Sequence, residues 1–176
     1  LLGGSIGFYG STLNTRQYAT KGYLEKLIAQ VFTGRERFEP GNPQEGYSPS
    51  PQERQSWLQI SYMKEAYHTM GPKFTLGWMA EALYSSKNFS ENYTATMMQA
   101  GEFAPTPHSK LMYNEAFRAN QYVAAGIKPI YVLNDMFQFR TEFYGFTPIF
   151  PIKKNALNKA YYGKAFSRFE YMGEVS

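Results

Sequence analysis

Residues 73 to 88, KFTLGWMAEALYSSKN, place Phe74, Leu76, Trp78, Ala80, Ala82 and Tyr84 at every second position, with Thr75, Gly77, Glu81 and Ser85 in the gaps. Successive side chains of a strand point to opposite faces, so this stretch has one apolar-aromatic face and one polar face. The pattern returns in MFQFRTEFYGF, where Phe137, Phe139 and Phe143 share a parity and Gln138, Arg140, Glu142 and Tyr144 take the other. In YYGKAFSRFEYMGEVS the odd set is Ala165, Phe169, Tyr171 and Val175, and the even set includes Lys164, Arg168, Glu170 and Glu174. Strands are predicted over 2–13, 23–38, 54–70, 73–88, 121–133, 136–150 and 161–176. Within them YLEKLIAQVF carries apolar residues on both parities, and Pro129 is expected at an edge, a strand end or a bulge, because it cannot donate to a ladder.

The connections alternate in length. Thr15–Gly22, Gly71-Pro72 and Asn134-Asp135 are compact, whereas 39–53, 89–120 and 151–160 are longer. Up-and-down neighbours put every second connection on the same side, so the short turns gather at one rim and the long loops at the other. The reading is an all-β, antiparallel up-and-down meander in a single domain over 1–176, with 89–120 as its longest connection and no secondary structure of its own.

Composition narrows the class. Aromatic residues make up 18% of the chain, with 15 Tyr and 14 Phe against 2 Trp, at a mean hydropathy of −0.47. Polar-alternating, aromatic-rich strands fit a transmembrane β-barrel with aromatic girdles; a soluble β-sandwich with aromatic cross-strand pairs is the alternative. Glu65, Glu81, Arg140, Glu142, Lys164, Arg168, Glu170 and Glu174 lie opposite the apolar sets. In a barrel they belong to the lumen, because a charge at the bilayer midplane costs about 2–4 kcal/mol; on a soluble sheet they would be solvated. There is no cysteine for a disulfide or a thiolate metal site. The net charge of +4 is spread along the chain, with Lys153-Lys154 the one adjacent basic pair, so nucleic acid is not expected as a partner. Leu1-Leu2-Gly3-Gly4 reads as neither a signal peptide nor a translation start, and the chain is expected to begin within a longer protein.

Candidate chemistry is sparse. Gly3-Gly4-Ser5-Ile6-Gly7 satisfies the G-x-S-x-G expression, but a serine elbow needs a strand, a sharp turn and a helix, and Phe8-Tyr9-Gly10-Ser11 continues as strand. The one aspartate, Asp135, is placed in a turn. His68 and His108 lie far apart and without a carboxylate-rich neighbourhood, and Asn88 and Asn92 head glycosylation-type triplets read as loop polarity. No catalytic residue, metal or cofactor is assigned.

The stretch Asn14-Thr15-Arg16-Gln17-Tyr18-Ala19-Thr20-Lys21-Gly22 resembles the turn of the bacterial surface antigen barrels, the outer-membrane assembly-factor superfamily, through Asn14, Tyr18, Thr20 and Gly22. Phe117-Arg118-Ala119-Asn120, closing the long loop, resembles that family's arginine-bearing sixth external loop. A wider run is similar to the C-terminal barrel of patatin-like phospholipases, in which a lipid-hydrolase domain is fused to such a barrel. It includes Tyr93-Thr94-Ala95-Thr96, Pro105-Thr106-Pro107-His108-Ser109, Phe143-Tyr144-Gly145-Phe146 and Phe169-Glu170-Tyr171-Met172-Gly173-Glu174.

The resemblance implies part of a barrel of about 16 strands, with earlier strands, the hydrolase domain and a final hairpin lying outside this chain. It implies a bacterial outer-membrane location, outer-membrane lipid and the barrel assembly machinery as partners, and a role as anchor or export conduit of the hydrolase. A homodimer is left open. On this reading the long loop folds inward and Arg118 meets Glu142 or Glu170. The alternatives are a mobile external loop, an autonomous small barrel or porin, and a soluble β-rich binding module.

Overall fold

The computed structural model describes residues 1–36, 53–134 and 137–175. Most of loop 39–53 and the turn residue Asp135 lie outside the described residues. In chain order the elements are β1 (Leu2–Ser11), β2 (Gly22–Glu36), β3 (Glu53–Thr69), β4 (Phe74–Ser85), a short helix α1 (Tyr93–Gln99), β5 (Gly101–Glu102), β6 (Arg118–Ala119), β7 (Gln121–Val132), β8 (Gln138–Pro148), β9 (Ile152–Lys154), β10 (Ala160–Tyr162) and β11 (Glu170–Val175). Seven of these strands form one sheet in the order β1-β2-β3-β4-β7-β8-β11. All its pairings are antiparallel. The chain is therefore all-β in its main architecture, as the alternation requires.

Register sorts the side chains. Trp78 is opposite Ala66 and Ile127, Ile127 is opposite Phe143, and Phe74, Tyr131 and Phe139 form a row across three strands. These belong to an open face that also carries Ile6, Phe8, Leu27 and Val31, all exposed. The other face, here the covered face, carries Thr75, Met79, Leu83, Tyr122, Ala124, Lys128, Arg140, Glu142, Tyr144 and Phe146, all buried, and the partly buried Glu81. Trp78, Ala80 and Phe139 thus share one face, and Glu81, Arg140 and Glu142 the other. Gly126 permits a close approach on the covered face, since a Cβ there would lie 2.2 Å from Cδ1 of Tyr144, whose ring lies against it.

Three expectations need correction. The predicted strand 161–176 is split: Ala160–Tyr162 pairs with β9, and only Glu170–Val175 joins the sheet. Phe166 takes a left-handed φ of 51° and donates its N–H to Ile149 O, which breaks extended structure, so Lys164 and Arg168 are not on a sheet strand. Pro129 lies inside a central strand: its register with Leu76 on β4 is kept, while pairing with β8 lapses at residues 128 and 129 and resumes at Ile130 without a bulge. The missing N–H thus falls in a gap of the ladder. Finally, the 86–120 connection has its own structure, containing α1, the β5-β6 ribbon and two short 3-10 turns.

This connection, the strap, supplies much of the core. Its Phe103, Phe117 and Ala119 pack with Met79, Leu83, Tyr122, Ala124, Tyr144 and Phe146 of the covered face. Phe103 lies 5.9 to 6.2 Å from the rings of Tyr122, Tyr144 and Phe146. A second cluster of Met97, Ala100 and Ile152 fixes α1 to the β9-β10 hairpin. Asn92 caps α1, accepting the Ala95 N–H at 2.7 Å.

Candidate functional site

Two connections fold over the covered face from opposite ends. From the short-turn rim comes the segment between β1 and β2, shaped by the four turn residues singled out in the sequence. The Asn14 carboxamide oxygen accepts the N–H groups of Thr20 and Lys21 at 3.0 and 3.1 Å, and its nitrogen donates to the Thr20 hydroxyl at 3.1 Å. Tyr18 adopts φ 56° and Gly22 φ 92°. A Cβ on Gly22 would lie 2.2 Å from the Thr12 carbonyl oxygen, so the position excludes any side chain. This clasp pushes Ala19 inward, where it is buried.

Arg140 of β8 receives it. The guanidinium donates from Nη2 to Ala19 O at 2.7 Å and from Nη1 to Glu142 Oε1 at 3.4 Å. It also lies 5.5 and 5.8 Å from the rings of Tyr18 and Tyr67. Arg140 is 2% exposed, so these contacts replace water around a full charge. Beside it Lys128 donates to Glu65 at 2.7 Å, and the hydroxyls of Tyr67 and Tyr144 donate to Glu65 and Glu142. Tyr122 donates to Glu81 at 2.5 Å. Glu65, Glu81 and Glu142 are thus each held by a cation or a phenol.

From the long-loop rim comes the strap, closed by Arg118. Its Nη2 donates to Glu102 Oε2 at 2.7 Å, its Nη1 to the carbonyls of Met98 and Ala100 at 3.2 and 3.3 Å, and it lies over the Tyr113 ring at 4.8 Å. Arg118 therefore anchors the strap to itself, across the β5-β6 ribbon. Of the partners expected for it, Glu142 is bound to Arg140, and Glu170 accepts from Arg168 at 2.7 Å. Glu102 follows a helix end and carried no periodic signal, so it was not legible as the partner. Asn120 is buried, donating to Lys87 O and the Tyr162 hydroxyl. His108 Nδ1 lies 2.6 Å from Glu174 Oε1, tying the strap to β11.

Between clasp and strap remains a cavity of about 670 Å3, lined by Arg16, Glu65, Glu81, Lys110, Lys128 and Arg140 among others. Both signs of charge stand on its wall. Ser5 lies in mid-strand opposite Gln30, so no serine elbow forms. His68 is 3.4 Å from the Trp78 indole nitrogen on the open face, whereas His108 belongs to the strap.

Comparison with protein-family models, with curated proteins and with solved structures gives no match to this chain. The fold and its polarity therefore carry the functional reading.

Proposed function

We propose that this chain is a membrane-spanning wall segment of a bacterial outer-membrane β-barrel, with its open face in lipid and its covered face toward a lumen occupied by the clasp and the strap. The observation that supports it is inverted polarity. Ile6, Phe8, Phe139, Phe143 and Tyr171 are 52 to 80% exposed, whereas Lys128, Arg140 and Glu142 are at most 9% exposed. Buried charge beneath a wide exposed apolar surface is the informative departure from a soluble sheet, and lipid is the solvent that such a surface needs. Spanning strands satisfy their backbone groups between neighbours, as this meander does along its six interfaces apart from the gap at residues 128 and 129. Joined to the resemblance to patatin-like phospholipases, the segment serves as the membrane anchor of a fused lipid hydrolase, with export through the barrel as a further role.

The chain has no cysteine, so one introduced residue carries a nitroxide. In vesicles, labels at Val123, Ile127 and Phe143 should be relaxed more by dissolved oxygen than by a water-soluble nickel chelate. Labels at Lys128 should meet little of either. Equal access of the chelate to the open-face sites, or a chain that folds without detergent or lipid, would make the sheet a soluble module. For the anchor role, a reporter domain fused ahead of residue 1 should fractionate with the outer membrane, and a reporter left soluble would remove it.

A further inference from the structure

The apolar open face has an interruption that a barrel wall does not use. Glu25 of β2 and Lys64 of β3 are register partners on that face, near the short-turn ends of their strands. Lys64 Nζ is 3.6 Å from Glu25 Oε2, and the Tyr62 hydroxyl donates to Glu25 Oε1 at 2.7 Å. The two charged side chains keep 36% and 28% of their exposure. Beside them runs a groove of about 520 Å3 lined by Tyr23, Lys64, Ala66, His68 and Trp78. Apart from Arg35 and Arg54 at the far ends of β2 and β3, Glu25 and Lys64 are the charged side chains that the sheet strands place on the open face among the described residues.

An ion pair facing lipid is costly unless both members find further partners. Lys64 has three N–H donors and, among the described residues, Glu25 as its carboxylate neighbour, and Glu25 has lone pairs beyond those used by Tyr62 and Lys64. The complement of such a pair is a ligand carrying both charges. Trp78, Tyr23 and Tyr62 supply amphipathic rings of the kind found at headgroup depth.

We propose that this cluster binds the phosphoethanolamine headgroup of a bilayer phospholipid, its phosphate accepting from the Lys64 ammonium and its primary ammonium donating to the Glu25 carboxylate, with the acyl chains leaving along the Trp78 groove. The proposal rests on the reading that the open face lies in lipid. Phosphatidylcholine has the same charges, but its quaternary nitrogen has no N–H to give Glu25, and phosphatidylglycerol has no cation at all.

The experiment uses the full chain with Trp57→Phe, which leaves Trp78 as its one tryptophan, in vesicles of brominated phosphatidylcholine. Unbrominated phosphatidylethanolamine is titrated in, and recovery of Trp78 fluorescence gives its relative affinity. The expected preference over phosphatidylcholine is about threefold, the size of an exposed charge-pair contribution, and Glu25→Gln and Lys64→Gln should each abolish it. Lys64→Arg should keep it and serves where a glutamine variant does not fold. Equal affinity for the two lipids, a preference untouched by both glutamine variants, or phosphatidylglycerol favoured independently of Glu25 would each overturn the site. A Trp78 shielded from brominated lipid while a label at Phe143 still meets it would mean that a second copy covers the cluster, which overturns the headgroup site and leaves the membrane reading standing. If neither position meets lipid, both fall.

Discussion

Gly22 and Arg140 are the residues on which the covered face turns. Gly22→Ala forces a Cβ against the Thr12 carbonyl at φ 92°, and should cost about 1–3 kcal/mol in urea unfolding from vesicles. Arg140→Met leaves Glu142 without its cation and Ala19 O without its donor, so it should cost about 3–5 kcal/mol. The double variant with Glu142→Gln should recover part of that loss. The clasp residues were legible because a turn writes its demands locally: Asn14 caps backbone donors six and seven residues on, and Gly22 holds a φ that other residues avoid. Arg140 was legible only as a charge on the inward parity. Its acceptor Ala19 is 121 residues away, and no spacing rule reaches that far.

At the scale of elements, alternation marked β4, β8 and the end of β11, since a period of two decides which face each residue takes, whereas YLEKLIAQVF of β2 carries apolar residues on both parities. Alternation failed where contacts other than a sheet face govern the chain. Residues 163–169 carry the right parity, yet Gly163 and Phe166 donate backwards to Pro151 and Ile149 and turn the chain away. The strap has no period to read, because its order comes from Phe103 and Phe117 entering the core and from the Arg118–Glu102 pair. A double-mutant cycle of Arg118→Ala with Glu102→Gln should give a coupling of about 1 kcal/mol or more, whereas cycles of Arg118 with Glu142 or Glu170 should be additive. Burial and a hydrogen bond to the Glu115 carboxylate push the Tyr93 phenol up to about 12. A raised pKa means that the neutral phenol is favoured by folding, so its contribution is full below about pH 10 and is lost as pH rises toward 12. Protection of α1 amides from hydrogen exchange should fall across that window, and Tyr93→Phe should remove this part of the fall.

For the whole molecule, the division into two faces predicts an asymmetric response to charge. Ala80→Arg on the open face should cost about 2–4 kcal/mol in a bilayer if it lies near the midplane, measured by urea unfolding from vesicles, whereas Gln17→Arg in the solvent-exposed clasp should leave stability unchanged. The clasp has one more consequence, which concerns time. Each hairpin of the meander joins neighbours in sequence and can zip up as the chain proceeds. The Arg140–Ala19 hydrogen bond closes a 121-residue circuit and has no partner until β8 is in place, so contacts of this separation form late. The clasp is then the bolt drawn after the wall is built. In Arg140→Met the sheet should retain its circular dichroism while trypsin reaches Arg16 and Lys21, and a refolding wild-type chain should pass through the same cleavable stage before it becomes resistant.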